Sequence, residues 1–428
     1  MAEMVDRVGA RDAAEVATGR GLSRRGFLTA LGVAGVAAGG GLSLAGCDSS
    51  SGAAAQPGAA IDPYGDHQTG IATPAQDRLV FAAFDVTSKR RADLVAMLEA
   101  WSKAIPVMMA GKPLADVESN PQLPPEDTGE AEGLAAANLT VTVGFGPSLF
   151  DGRFGLASRR PAALAPIPPL PGDNLNVLIS NGDLCVQACA DDPQVAFHAV
   201  RNLRRIAQGT AVLRWTQLGF GKTSSTSTAQ ATPRNLMGFK DGTNNIKGEQ
   251  STVLDKQVWV GTETDQQWMR GGSYLVTRRI AMRLEAWDRD FLADQEKTFG
   301  RVKDTGAPLG EKGEFDTVPL AAKNPDGTLV IDQDAHIRLA SPETNGGHKL
   351  LRRGYSYIDG VIAETGQLDA GLFFIVFQQD PRRQFVPIQR KLGSSDLLNE
   401  YIQHTSSALF ACPPGFRQGE MIGAALFA

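Results

Sequence analysis

From residue 77 onward the apolar positions recur with two periods, and the chain switches between them. "DRLVFAAFDVTS" (77–88) is rich in Val and Phe and reads as a strand. After it, Leu94, Met97, Leu98 and Trp101 fall three and four apart, which predicts a helix. "ANLTVTVGFGPSLF" (137–150) alternates strictly and reads as a strand. "PAALAPIPPLPGD" (161–173) carries too much proline for any regular element. "NVLISNGDLCVQACA" gives a further strand. "DDPQVAFHAVRNLRRIAQG" is a helix with an Asp cap, Pro193 in its first turn and Gly209 at its end. The order is that of a ferredoxin-like α+β unit.

The pattern then repeats. "SYLVTRRIAMRLEAWDRD" (273–290) begins as a strand, and "FLADQEKTFGR" follows as a helix. "LLRRGYSYIDGV" and "AGLFFIVFQQD" read as strands, and "SSDLLNEYIQHT" as a Ser-led helix. The predicted fold class is therefore α+β: two ferredoxin-like halves with antiparallel sheets. The expected boundaries are 76–230 for the first half and 231–428 for the second.

A chain of 428 residues fits about two or three domains. With 42% hydrophobic and 21% charged residues it is globular, and a net charge of −5 gives no basic signature of nucleic-acid binding. Zinc-ligand spacings, a phosphate-binding loop and a serine nucleophile elbow do not occur.

The N-terminus has a different character. "SRRGFLTALGVAGVAAGGGLSLAGC" pairs Arg24 and Arg25 ahead of a Gly/Ala-rich apolar run. It resembles a twin-arginine export signal, which is an address and not part of the fold. So many glycines make a poor membrane-spanning helix. "LAGC" (Leu44–Cys47) looks like a lipoprotein cleavage box, with Cys47 the candidate lipid anchor and the only expected link to a membrane; the alternative is plain cleavage nearer "GAAAQPGAA". Residues 1–47 are thus expected to be a signal. Residues 48–75, small, polar and Pro/Gly-rich, are expected to be a flexible linker in which His67 is solvated. Cys185 and Cys189 share one face of a strand, roughly 13 Å apart. That exceeds the roughly 7 Å a disulfide tolerates, so they read as buried small hydrophobes.

Two short segments carry the chemistry. "RNLMGFKDGTNN" (234–245) is turn-forming, and Gly242 permits positive φ; Asp241 is either a turn-former or a carboxylate held at a cavity mouth. "DAHIRLASP" (334–342) holds His336, one of five histidines. "HIRLA" alternates as a strand, with His336 and Arg338 on one face. In "HKLLRRGYSY" alternation puts Arg352, Gly354 and Ser356 on one face and Arg353, Tyr355 and Tyr357 on the other. One histidine cannot hold zinc, but one axial histidine suffices for haem, whose porphyrin supplies four nitrogens. His348 lies in a Gly-rich loop, His198 reads as structural on its helix, and His404 as a surface residue.

"GFKDGTNN", "DAHIRLASP" and "LLRRGYSY", in that order, resemble the signature segments of the dye-decolourising peroxidase family, as does "GLFFIVFQQDPRRQFVPIQRKL". With the export signal, the likeness is to the deferrochelatase/peroxidase group tied to bacterial iron uptake. It covers the chain from about residue 76 onward. The resemblance implies a haem b peroxidase with the haem in the C-terminal half, using hydrogen peroxide and an organic reductant, or acting on haem itself to release iron. It implies His336 as proximal iron ligand, Asp241 as distal acid and Arg352 as distal arginine, with Arg353 the rival. It places Gly242, Thr243 and Asn244 against the haem, with Ser341, Pro342 and Glu343 flanking it. Arg338 is a candidate partner for a propionate. A carboxylate behind the ligand is expected from Glu400, with Asp396 the alternative. Trp259, Trp268, Tyr355 and Tyr357 are candidate electron relays. A non-catalytic haem-binding lipoprotein would need His336 but not Asp241 and Arg352 together. Components of an iron-uptake system and a second copy of the chain complete the expected partners.

Overall fold

The computed structural model describes residues 58–116 and 118–428. The readings at Arg24–Arg25 and Cys47, and the first part of the expected linker, lie outside them. The described residues fall in one compact unit.

The first half runs β1 (Arg78–Val86), α1 (Arg91–Met109), β2 (Thr140–Phe145), β3 (Leu184–Ala190), α2 (Pro193–Ile206) and β4 (Ala211–Lys222). The Asp192 side chain accepts from the backbone N–H of Gln194 and Val195, which fixes the start of α2 where the sequence places it. After α3 (Ser251–Gln257), the second half runs β5 (Ser273–Met282), α4 (Leu284–Trp287), α5 (Leu292–Phe299), α6 (His336–Ala340), β6 (Leu351–Arg352), β7 (Tyr355–Val361), β8 (Leu368–Gln378), α7 (Phe385–Ser395) and β9 (Ile402–Cys412).

The two halves order their strands alike: β4-β1-β3-β2 and β9-β5-β8-β7, every pair antiparallel. Both are the ferredoxin-like order that the repeat predicts. What the repeat does not predict is closure. β2 meets β9 at Phe145–Ala411, and β4 meets β7 at Phe220–Ser356 and Lys222–Tyr355. With β5 bonded to both β8 and β9, the two sheets become one closed barrel.

Closure explains why the strands read as nearly continuous apolar runs. On β1, Leu79, Phe81 and Ala83 join the barrel interior with Phe373, Ile375 and Phe410. Val80, Ala82 and Phe84 face outward beneath α1 and α2. A sheet covered on both faces has no polar side to alternate with, so all seven residues of β3 are buried. Trp101 of α1 is fully buried there, and its indole N–H donates to Leu203 O at 2.9 Å.

Four sequence expectations are corrected. "HIRLA" is the short helix α6, not a strand. "SSDLLNEYIQHT" is the end of α7, a 3-10 turn at Leu397–Glu400 and the start of β9, not one helix. Residues 58–75 are packed against the barrel instead of forming a tether. Ile71 enters the barrel core, and Gln68 bonds Val143 and Pro413. His67 stacks on Trp259 at 3.8 Å and bonds Gly271 O at 2.7 Å. His404 is buried in β9, not on the surface. The cysteines behave as expected: Cys185, Cys189 and Cys412 are free and buried.

Candidate active site

His336 opens α6, a helix too short to be stable alone. Its surroundings hold it. Arg338 spends Nε on Asp332 O and Nη2 on Leu320 O and Ile331 O, tying α6 to the preceding loop. Asn345 Nδ2 donates to Leu339 O and Ser341 O, closing the other end. Only Nη1 of Arg338 is left for an outside carboxylate, so its first task is structural. In the flanking segment, Pro342 starts a 3-10 turn and the Ser341 hydroxyl donates to Glu343.

Behind the ring stands Asp396. Its Oδ2 accepts from His336 Nδ1 at 2.6 Å, and its Oδ1 caps the next turn by accepting from Leu398 N. Leu397 N donates to Asp334 O, so the turn and the histidine segment are also joined through backbone. Of the two carboxylates weighed from sequence, Asp396 makes the contact; Glu400 is exposed. Burial opposes charge on His336, but the Asp396 carboxylate outweighs it, and the imidazole pKa lies above its ordinary value. The Asp396 side chain is 2% exposed, whereas that of His336 keeps 28%. The open part is the Nε2 side, which bonds no protein group among the described residues.

The charges of Arg352 and Asp241 act on His336 as well, the first lowering and the second raising its pKa, so both lie in its neighbourhood. Asp241 leaves a tight hairpin closed by Arg234 and Lys240. Gly242 follows at φ +80°, and a Cβ there would meet Ser224 at 2.9 Å, so only glycine makes this turn. Asp241 Oδ1 accepts from Arg352 Nη2 at 2.5 Å, while Oδ2 has only a long contact, 3.3 Å, from Asn235. Arg352 ends β6 on the outer face of the barrel. Arg353 points inward, fully buried, and binds Thr73, Thr226 and Gln76. The pair thus divides its work: Arg352 for the site, Arg353 for anchoring the N-terminal segment.

Sequence reasoning missed several supporting residues. Asn245 clips Arg352 through both backbone groups: its Oδ1 accepts from Arg352 N and its Nδ2 donates to Arg352 O, each at 2.8 Å. Glu314 gathers Thr243 and Lys240, and Lys349 Nζ donates to Asn244. Beside the histidine, Phe299 meets the His336 ring at 6.1 Å and packs with Phe239 and Trp287, and Trp287 in turn meets Tyr401. No motif marks these; only the "N-N" after Gly242 hints at turn-held amides. His348 lines a separate cleft with Gln384 and does not enter the site. Of the proposed relays, Tyr355 and Tyr357 are inside the barrel, Trp268 is buried against Phe145 and Phe150, and Trp259 lies beneath His67.

The donor set fits haem. Among the described residues no three His, Cys, Asp or Glu side chains converge on a metal position. One histidine, fixed by a carboxylate and open at Nε2, fits a group that brings its own four ligands.

The fold and site therefore define a two-module α+β barrel with a carboxylate-backed histidine and an Asp–Arg pair in one site. Comparison with known proteins places it. The families described as Dyp-type peroxidase, N-terminal and Dyp-type peroxidase, C-terminal match residues 68–221 and 232–417. The chain is 39% identical over 369 residues to the deferrochelatase of Escherichia coli (strain K12), covering 85% of this chain and 86% of that one. The deferrochelatase of Shigella sonnei (strain Ss046) is 40% identical over the same shares. Among solved structures, the oxyferrous complex of DtpA from Streptomyces lividans superposes with a TM-score of 0.80 at 41% identity, covering 87% of this chain and 98% of that one. A DyP-type peroxidase from Cellulomonas bogoriensis gives 0.78 at 39%, covering 87% and 99%. The chain belongs to the DyP-type peroxidase family. It is an enzyme of haem-dependent peroxidase chemistry, with deferrochelatases among its relatives.

Proposed function

We propose that this chain binds one haem b between His336 and the Asp241–Arg352 pair and reduces hydrogen peroxide with electrons from an organic reductant. The observation that carries the reading is a pair of contacts in one neighbourhood: Asp396–His336 at 2.6 Å and Asp241–Arg352 at 2.5 Å, with Nε2 of the histidine left open.

Each residue then has a task. Asp396 accepts the Nδ1 proton and so directs the His336 Nε2 lone pair toward the iron. Gly242, Thr243 and Asn244 form a turn that would hold the macrocycle, with Ser341, Pro342 and Glu343 bordering it. A bound haem would supply the redox chemistry for cleaving the O–O bond. Asp241 takes the proton from the near peroxide oxygen and delivers it to the far one. Its Oδ1 is held by Arg352, so Oδ2 is the atom that carries the proton. The Arg352 guanidinium stabilises negative charge developing on the departing oxygen. The test is the visible spectrum of the wild type and of His336→Ala, each titrated with haem. A histidine-ligated Soret band lost or shifted in the variant is expected; identical spectra would rule out this ligand.

A second reading follows from relatives named deferrochelatase: release of iron from haem with the porphyrin intact, alongside partner components of iron uptake. Anaerobic incubation with haem separates the two, since only this reading yields free porphyrin fluorescence. The paired arginines and the "LAGC" box support export by the twin-arginine route with Cys47 as a lipid anchor. Cell fractionation of a Cys47→Ala variant tests the anchor, which predicts a shift from the membrane to the soluble fraction.

A further inference from the structure

One carboxylate outside the proposed machinery grips the turn that carries Asp241. The connector between α5 and α6 lies over the hairpin at 234–240. Arg234 donates from Nη1 to Lys303 O and from Nη2 to Asp304 O, each at 2.6 Å. Gly306 stands so close to Lys240 that a Cβ there would meet its stem at 2.7 Å. Farther along the connector, Glu314 reaches back to the same hairpin. Its Oε2 pairs with Lys240 Nζ, and its Oε1 accepts from the Thr243 hydroxyl at 3.0 Å. The two partners flank the Asp241–Gly242 step, one on each side. The Glu314 side chain is 10% exposed, so solvent screens its charge weakly.

The grip has an electrostatic side. Asp241 stands among cations. Arg352 bonds it, Lys240 adjoins it in the chain, and Arg301 feels the charges of both Asp241 and Arg352. Lys247 feels Arg352, with Glu249 opposing it, and Lys349 donates to Asn244 beyond the turn. His336 is the other titratable group on which Asp241 acts. The cations all favour a charged Asp241. Glu314 supplies the opposing charge: it pairs with Lys240 and acts on Arg301 and Lys247. Burial opposes charge on Glu314 itself, but the bonds from Lys240, Thr232 and Thr243 outweigh it and hold its carboxyl below the ordinary range. It is therefore ionised at neutral pH.

We propose that Glu314 is a positioning residue for Asp241: it fixes the turn through Lys240 and Thr243, and its charge offsets the cations that crowd the Asp241 carboxylate. This rests on the reading of Asp241 as the group that moves the peroxide proton. Without the Glu314 charge, the surplus of cations keeps Asp241 ionised to lower pH.

The experiment is the reaction of the ferric holoenzyme with peroxide, followed by stopped flow across the acid range. It compares the wild type with Glu314→Gln, Glu314→Asp and Asp241→Asn. The association rate of cyanide, which must also give up a proton to bind, is measured beside it as a readout without turnover. Glu314→Gln keeps the length and an acceptor for Thr243 but loses the charge. Its acid limb should move to lower pH by about half a unit in both reactions, with the Soret band and melting temperature unchanged. Glu314→Asp keeps the charge but falls short of the hairpin. Its rate should drop by about tenfold at every pH, with the limb where the wild type has it. A limb that is lost in Asp241→Asn but stays in place or moves upward in Glu314→Gln shows a merely structural contact and overturns the proposal alone. A limb that persists in Asp241→Asn overturns the reading of Asp241, and the proposal with it.

Discussion

The two halves of the barrel share a strand order and differ in what crosses over it. In the first half the crossover from β1 to β2 contains one 19-residue helix, α1, whose buried face is Leu94, Met97, Leu98, Trp101, Ile105 and Met108. In the second the crossover from β5 to β6 is broken into helices of 4, 8 and 5 residues, and His336 sits on the last of them. A long helix satisfies its own backbone and contributes apolar area. Short helices cannot, and need side chains such as Arg338 and Asn345 to bond their ends. That need brings polar groups into the interior, where they can be aimed. The first half is built for packing, the second for chemistry.

Substitutions in each half should therefore fail in different ways. The largest effect belongs to the Asp–Arg pair. Asp241→Asn and Arg352→Leu should each slow the reaction with peroxide by roughly 10²–10⁴-fold in stopped flow, with the melting temperature little changed. Wild-type rates in both variants would remove these residues from the mechanism. Next comes the first half. Trp101→Ala should cost about 3–5 kcal/mol of stability through the cavity it leaves, and leave the haem spectrum unchanged. A variant that folds normally but loses haem would collapse the distinction between the halves. Smaller again is Asp396→Asn, which should weaken haem binding by roughly 10–100-fold, whereas Glu400→Gln should not. Equal effects in the two would show that the carboxylate contact does not orient the ligand.

These contrasts also explain what was legible in the sequence. Elements with many repeats of their period were: α1 and α2 show helical spacing over several turns, and β2 alternates cleanly. α6 did not, because over the five residues of "HIRLA" periods of 2 and 3.6 fit equally well. β9 contains Ser406, Ser407 and Ala408 and is buried on both faces, so it shows neither alternation nor strong strand propensity. The Ser-Ser-Asp ahead of it suggested a helix start, but Asp396 caps only a 3-10 turn and uses its other oxygen on His336. Residues 58–75 have a linker's composition, yet they dock through residues such as Gln68 and Ile71. Closure of the barrel rests on three residue pairs at the seams, too few to leave a pattern. His336, Asp241 and Arg352 were found through a resemblance of whole segments; Asn235, Asn245 and Glu314 lie in no such segment or serve it only through their side chains.

The smallest effect per step concerns acid, and it too separates the halves. Each half also buries a histidine away from the His336 site. His198 in the first bonds Asp127 at 2.9 Å. His404 in the second receives a hydrogen bond from Gln389 on Nε2 and has no partner on Nδ1 among the described residues. Burial, reinforced by the Arg278 guanidinium, pushes its pKa down to about 3 from an ordinary 6.5. Between those values the unfolded chain holds a proton that the folded chain refuses. Acid therefore draws the equilibrium toward unfolding: the contribution is absent above the ordinary value and grows as pH falls toward the folded one. The slope is about 1.4 kcal/mol for each pH unit. His404→Gln keeps a polar side chain at the position but cannot take the proton, so its stability curve should be flatter than that of the wild type between pH 6 and pH 4. Denaturant unfolding at a series of pH values measures the difference. Parallel curves would mean that His404 is charged in the folded protein, and that the second half tolerates a cation beside Arg278 where its packing argues against one.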